Sequence, residues 1–309
     1  MTENFITVGT QVLELFILIA VGYLCGKTKL LQEKAIKSIT NVVLYIVCPC
    51  VIIQNFVRPF DPDMLGGLLT TGAAALCIHI VSIAIAMLVF HDKTPERNRV
   101  YRFALIFSNC GYMSLPMQQA ILGADGVFFG AVYIVVFNIV MWTFGVWLSS
   151  GDKKSLSLKK ILLNPCIIGM VIGVIIFLTS VPIPEIISKP VGFLADLNTP
   201  LPMLIVGFYL SQTRIRDAFK DGKGFICVLF RLIAIPLLAF GGMMLCGIRG
   251  TVLITCVIAA SAPAAAATTM FAAKFDNDAK LSVNLVTLST LLSVITMPLI
   301  VGFARTVGG

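Results

Sequence analysis

Charge is scarce in this chain. Of its 309 residues only 12% are Asp, Glu, Lys or Arg, about half the share of an ordinary soluble domain. That excludes a water-soluble fold, whose surface must be mostly polar, and it excludes a disordered chain. A disulfide framework is also lacking. The nine cysteines are odd in number and scattered, and Cys25, Cys50, Cys77, Cys110, Cys166, Cys227, Cys246 and Cys256 lie in apolar stretches as small hydrophobes. No polar connection exceeds about a dozen residues, so no nucleotide-binding domain is expected and no drive by ATP bound on this chain. The opening MTENFITVGTQ has neither a basic n-region nor a small-residue cleavage site. Its apolar run therefore reads as a first transmembrane helix, not a signal peptide. What remains is aliphatic: 58% of residues are apolar, 9% aromatic, and the mean hydropathy is +0.97. Long apolar runs recur where a barrel would show short alternating strands, which predicts an all-α polytopic membrane protein.

A helix needs about 20 residues to cross the hydrocarbon core. Ten segments meet this, at 5–26, 38–57, 64–90, 103–122, 127–149, 161–181, 190–211, 225–246, 251–273 and 281–304. The loops after segments 1, 3, 5, 7 and 9 hold 18 of the 23 basic residues. They include Lys27 to Lys37, Lys93 to Arg102, Lys153 to Lys160, Arg214 to Lys223, and Lys274 and Lys280. The other side has Arg58, Lys189, Arg249 and Arg305. The positive-inside rule then places those five loops in the cytoplasm of a multi-pass plasma-membrane protein, with both termini outside. The net charge of +8 becomes a cytoplasmic rim, and nucleic acid drops out as a partner.

The loop SGDKKSLSLKK (150–160) divides the chain into five-helix halves, 1–149 and 161–309. An odd number of spans per half makes the halves insert upside down relative to each other, the inverted-repeat plan of many secondary transporters. Matched interruptions support the division. Segments 2 and 7 carry Pro49 and Pro202; segment 4 reads FSNCGYMSLPMQQ and segment 9 reads IAASAPAAAATTM, with Pro116 and Pro263 mid-span. A broken helix frees backbone groups that hydrocarbon cannot satisfy. The N-terminus beyond each break offers unpaired N–H groups and a partial positive charge, which makes an anion site without a basic side chain.

At segments 4 and 9 the sequence resembles the auxin efflux carrier family. Asn109, followed seven positions later by Pro116 in NCGYMSLP, looks like the family's Asn-to-Pro crossover motif. SAPAAAATTMFAAKFDNDAKLS, TMPLI (296–300) and VCPCVI followed by RPFDP are similar to further family stretches, and the likeness runs along essentially the whole chain. The resemblance implies a fold shared with sodium–bile acid symporters, with segments 1, 2, 6 and 7 as a scaffold. Segments 3–5 and 8–10 would form a transport domain in which broken helices 4 and 9 cross. It further implies a carrier of small carboxylates such as malate, malonate or an auxin-like acid, and a homodimer through the scaffold. SGDKKSLSLKK takes the place of the long cytoplasmic loop of many plant members.

Asn109 is the leading substrate residue, since its amide can donate to a carboxylate; its alternative is a local cap. Ser108, Cys110, Gly111 and Ala264 complete the expected substrate site beside it, with Ser261, Thr268 and Pro49. Pro116 and Pro263 keep the breaks open. Serine and threonine hydroxyls can equally bond back to their own helix. Glu14, Asp196 and His79 are candidates for H⁺ or Na⁺ coupling: a carboxylate at mid-span should face protein or water, and histidine titrates near neutrality. Arg231, near the cytoplasmic end of segment 8, is expected to snorkel toward that interface; its alternatives are to pair with a carboxylate or to attract anions. Cys48-Pro49-Cys50 has the look of a soft-metal motif, and DKTP (92–95) faintly that of a pump's phosphorylated aspartate, but the large domains of such a pump are absent. No metal, cofactor or enzymatic activity is expected. The alternative function is a cation/proton antiporter on the same architecture. It would want acidic residues at the crossover, and 103–122 and 251–273 contain none.

Overall fold

A computed structural model describes residues 2–152, 163–212 and 221–309. Most of the expected linker at 150–160, together with Arg214, Arg216 and Lys220, lies outside the described residues. In hydrocarbon a backbone must satisfy its own polar groups, and the apolar runs accordingly form helices throughout. They are α1 (Thr2–Lys27), α2 (Glu33–Phe56), α3 (Pro62–Val89), α4 (Pro95–Ile106), α5 (Cys110–Ser150) and α6 (Pro165–Thr179). There follow α7 (Glu185–Asp196), α8 (Pro200–Ser211), α9 (Gly222–Leu245), α10 (Gly250–Ser261), α11 (Ala267–Lys274) and α12 (Ala279–Gly308). Six runs among the described residues are long and apolar enough to cross a membrane: α2, α3, α5, α7 with α8, α9 and α12. Shorter apolar helices α6 and α10 accompany them. The chain is a multi-pass helical membrane protein. Side chains such as Leu69, Leu88, Ile186, Phe193 and Leu245 are exposed on its outside, where lipid replaces water as the partner.

Helix boundaries differ from the expected segments in instructive ways. GADG (123–126) is not a loop: α5 runs from Cys110 to Ser150, and only Gly123, at φ 65° and ψ −150°, leaves helical geometry. A side chain would be strained there, so glycine lets two helices join through a single residue. Pro49 does not break α2 either. Instead, a widened turn over Val43–Val47 precedes it. Cys110–Ser114 and Phe230–Ala234 are widened in the same way, each ending two residues before a proline, Pro116 and Pro236. Widening to an i→i+5 pattern moves the carbonyl that the pyrrolidine ring would strike. In segment 7 the true interruption, Leu197–Thr199, falls between α7 and α8, ahead of Pro200 and Pro202.

Two close helix pairs anchor one side of the bundle, and both rest on glycines four apart. Gly22 and Gly26 of α1 face α8: a Cβ on Gly22 would lie 2.4 Å from the Leu204 oxygen, and one on Gly207 only 2.0 Å from the Ile19 oxygen. Gly169 and Gly173 of α6 face α2 in the same manner, against Pro49 and Phe56 at 3.0 Å. Small residues let backbones approach where lipid gives no hydrophobic drive. At the end carrying the basic loops, Arg97 of α4 bonds Asp221 before α9 and Asp278 before α12, both at 3.1 Å, and Tyr101 at 2.8 Å. This clamp ties three helix ends together.

Candidate functional site

The centre of the bundle holds two broken helices. α4 stops at Ile106, where the weak helix formers of FSNCG begin. Phe107 is extended at φ −101° and ψ 110°. α10 stops at Ser261; Ala262 is extended at φ −61° and ψ 147°, as a residue before proline prefers. The two unwound segments meet as an antiparallel bridge between Ser108 and Ala264. The Asn109 N–H donates to the Pro263 oxygen at 2.7 Å, and the Ala265 N–H donates to the Phe107 oxygen at 2.9 Å. The Ala264 N–H reaches Ser289 Oγ of α12 at 3.1 Å. Each break thus supplies the backbone partner that the other one lost. Beyond the bridge, α5 and α11 start with their N-termini at the crossing.

Ser108, Asn109, Cys110, Gly111, Ser261, Pro263 and Ala264 lie on or directly beside this crossing, whereas Pro116 stands inside α5, seven residues past Asn109, and does not hold the break open. Asn109 is 6% exposed, and its side chain makes no capping bond to α5. Ser261 Oγ donates to the Val257 oxygen of its own helix at 2.6 Å. The hydroxyls of Ser108 and Thr268 are buried without a hydrogen-bond partner. A Cβ on Gly111 would meet no atom within 4 Å, so there is room beside the first turn of α5. The next residue, Tyr112, packs on Ile36, Val43, Ile205 and Phe208 of α2 and α8. The crossing therefore abuts the α1–α2–α6–α8 side of the bundle. Pro49, in α2, has its backbone against Gly169; its neighbour Cys48 pairs thiol to thiol with Cys166 at 3.1 Å.

The coupling candidates are spread apart. Glu14 is exposed on the outer surface of α1. His79 of α3 is buried, with its Nδ1–H on the Ala75 oxygen at 2.7 Å and its ring 5.5 Å from Tyr133 and 6.3 Å from Phe107. Asp196 lines a cavity of about 960 Å³ formed by the end of α2, the 57–62 connection, the Gly123 kink and the α7–α8 break. Gln54, Asn55, Arg58, Asp61, Gln119, Asp125 and Asn198 contribute its polar wall. Arg58 pairs with Asp125 at 2.6 Å and lies 4.6 Å from the centre of the Phe128 ring. None of the bridge residues lines this cavity; Gln119, on α5 one turn past Pro116, comes nearest in sequence. Among the described residues no three His, Cys, Asp or Glu side chains are grouped to hold a metal.

Arg231 is the residue that sequence reasoning misplaced. It does not snorkel. It is 2% exposed, and its guanidinium donates to the Leu105 oxygen at 2.8 Å, the Ile106 oxygen at 3.4 Å and the Ala260 oxygen. These are the final carbonyls of α4 and α10. Arg231 stands in the widened turn before Pro236, and nothing in the sequence marks carbonyl partners on two other helices.

A model of the family described as "Membrane transport protein", that of the auxin efflux carriers, matches residues 7–301. The chain belongs to this family. An "Uncharacterized transporter" of Methanothermobacter thermautotrophicus is 25% identical over 292 residues, covering 93% of this chain and 95% of that protein. "Uncharacterized transporter MJ1031" of Methanocaldococcus jannaschii is 25% identical over 297 residues, covering 93% and 96%. Membership in the auxin efflux carriers makes a membrane transport role the setting in which the crossing and the cavity are to be understood.

Proposed function

We propose that the chain is a secondary carrier of a small organic anion, a carboxylate such as malate, malonate or an auxin-like acid, working by alternating access at the crossing. The observation that carries this reading is the Ser108–Ala264 bridge. Two half-helix N-termini start there, Asn109 heads one of them without capping it, and Gly111 leaves room beside it. Half-helix N-termini favour a carboxylate. We read the bundle as ten spans in two inverted five-helix repeats, 1–149 and 161–309. Supporting this, the first helix of each half packs by its glycine pair on the second proline-bearing segment of the other half: α1 on α8, and α6 on α2. These four elements with α7 make the scaffold; α3–α5 and α9–α12 make the moving domain. The basic loops put both termini outside the plasma membrane, so the cavity faces outward. Outward movement of an anion then gains about 2.3 kcal/mol per charge per 100 mV, inside negative.

The test is uptake and counterflow of labelled mono- and dicarboxylates in proteoliposomes, with H⁺ and Na⁺ gradients varied singly. A carboxylate should move, and Asn109→Ala should lower its transport at least tenfold. Normal transport by that variant removes Asn109 from the site. One observation favours the cation/proton antiporter: Asp61, Asp125 and Asp196 share the cavity with Arg58, the one cationic side chain among the described residues that line it. Ion exchange without any carboxylate movement selects that alternative. Chemical cross-linking in membranes tests for the homodimer.

A further inference from the structure

A guanidinium buried without a carboxylate is costly unless other groups replace the lost water. Arg231 has no carboxylate partner among the described residues; its partners are the last carbonyls of two helices. Each helix C-terminus carries roughly half a negative charge, and each N-terminus roughly half a positive one. Four such ends meet at the crossing. The two C-termini, α4 and α10, sum to about −1 and the two N-termini, α5 and α11, to about +1. Without a further charge these cancel at short range, and the crossing has little net pull on an anion.

We propose that Arg231 is the positioning residue of the crossing. Its cation cancels the two C-terminal ends and pins them together, which leaves the N-termini of α5 and α11 as the unbalanced positive charge toward the substrate. Anion preference is then set by a side chain that never touches the anion. One planar guanidinium reaches carbonyls on two helices at once, and Arg231 stands in the widened turn before Pro236; a lysine keeps the charge with fewer of these bonds.

The transport consequence rests on the organic-anion reading above; the structural one does not, so the experiment has two arms on the full chain in lipid nanodiscs or proteoliposomes. In the first, amide hydrogen exchange is followed at Asn109 and Ala265, whose N–H groups form the bridge. Arg231→Gln should speed their exchange at least tenfold, and Arg231→Lys should speed it less. In the second, labelled malonate is the substrate and malonamide the neutral competitor. Arg231→Gln should raise KM for malonate at least tenfold with a smaller change in kcat, and should shrink the preference for malonate over malonamide. Arg231→Lys should restore most of both. Unchanged protection of the two amides in Arg231→Gln overturns the proposal whatever transport does. So does a wild-type malonate KM in that variant. Should Arg231→Gln not fold, the lysine variant decides: bridge protection lost although the positive charge is kept overturns the role of charge. If the wild-type chain moves no carboxylate, the organic-anion reading fails and the exchange arm still judges Arg231.

Discussion

Gly207→Ala adds one methyl group to α8 and should cost more than almost any other single methyl in the molecule. The added carbon would sit 2.0 Å from the Ile19 oxygen, 2.7 Å from the Tyr23 nitrogen and 2.9 Å from the Gly22 Cα. All three are backbone atoms of α1, so no rotamer change relieves the overlap. An ordinary carbon contact needs about 3.5 Å, so α1 and α8 must part by roughly 1.5 Å along that line. Overpacking typically costs about 1–3 kcal/mol, and a purely backbone clash belongs at the upper end. Exchanging glycine for alanine inside a helix returns up to about 1 kcal/mol, leaving a net loss near 2 kcal/mol. At roughly 2–4 °C per kcal/mol for a chain of this size class, the apparent Tm should fall by about 4–8 °C. Gly241→Ala is the control, since a Cβ there meets nothing within 4 Å; it should leave Tm unchanged or raised. The assay is thermal unfolding in detergent at one scan rate, because membrane proteins often unfold irreversibly. Equal Tm values for the two variants would refute the close α1–α8 approach.

Other perturbations address the cavity and the crossing. Gly111→Val fills the space beside the first turn of α5; it should cut carboxylate transport at least fivefold while Tm moves by under about 2 °C, a shift of less than 1 kcal/mol. Asp125→Asn removes the carboxylate that pairs with Arg58 at the cavity mouth. An exposed ion pair is worth about 0.2–1 kcal/mol, so stability should barely change, while the less negative mouth should lower KM for an anion two- to fivefold at low salt. That gain should vanish at high ionic strength.

Proline positions were the most legible part of the site. Pro263 marked the break in segment 9, while Pro116 flagged the right stretch of segment 4 from inside α5, seven residues past Asn109; the Ser108–Ala264 bridge joins the two breaks. The reason is local at Pro263, where Ala262 before the ring avoids helical geometry. In segment 4 the break falls earlier, at Phe107, where Ser-Asn-Cys-Gly holds a helix weakly, and Leu115 before Pro116 stays helical. Pro49 misled, because whether a proline breaks a helix or widens it depends on room around the preceding turn, which packing decides. Arg231 misled for a related reason. Depth along a span can be counted, but a partner made of backbone carbonyls on two distant helices leaves no letter in the sequence. The glycine pairs were in plain view as Gly22 with Gly26 and Gly169 with Gly173. Their meaning appears only when the facing backbones, at Leu204 and Pro49, are known.

The one-residue joint at Gly123 has a mechanical side. From Cys110 to Leu122 α5 covers twelve steps, at most about 18 Å at 1.5 Å per residue, with its first turn widened over Cys110–Ser114. Its lower end begins at the crossing, and its upper end reaches the cavity mouth at Ala124 and Asp125. A flexible loop in place of that joint would absorb movement. A single glycine leaves no slack, so a shift of the crossing displaces the mouth in step. A spectroscopic label near residue 125 would therefore act as a pointer, reporting at an accessible edge what happens at the buried centre.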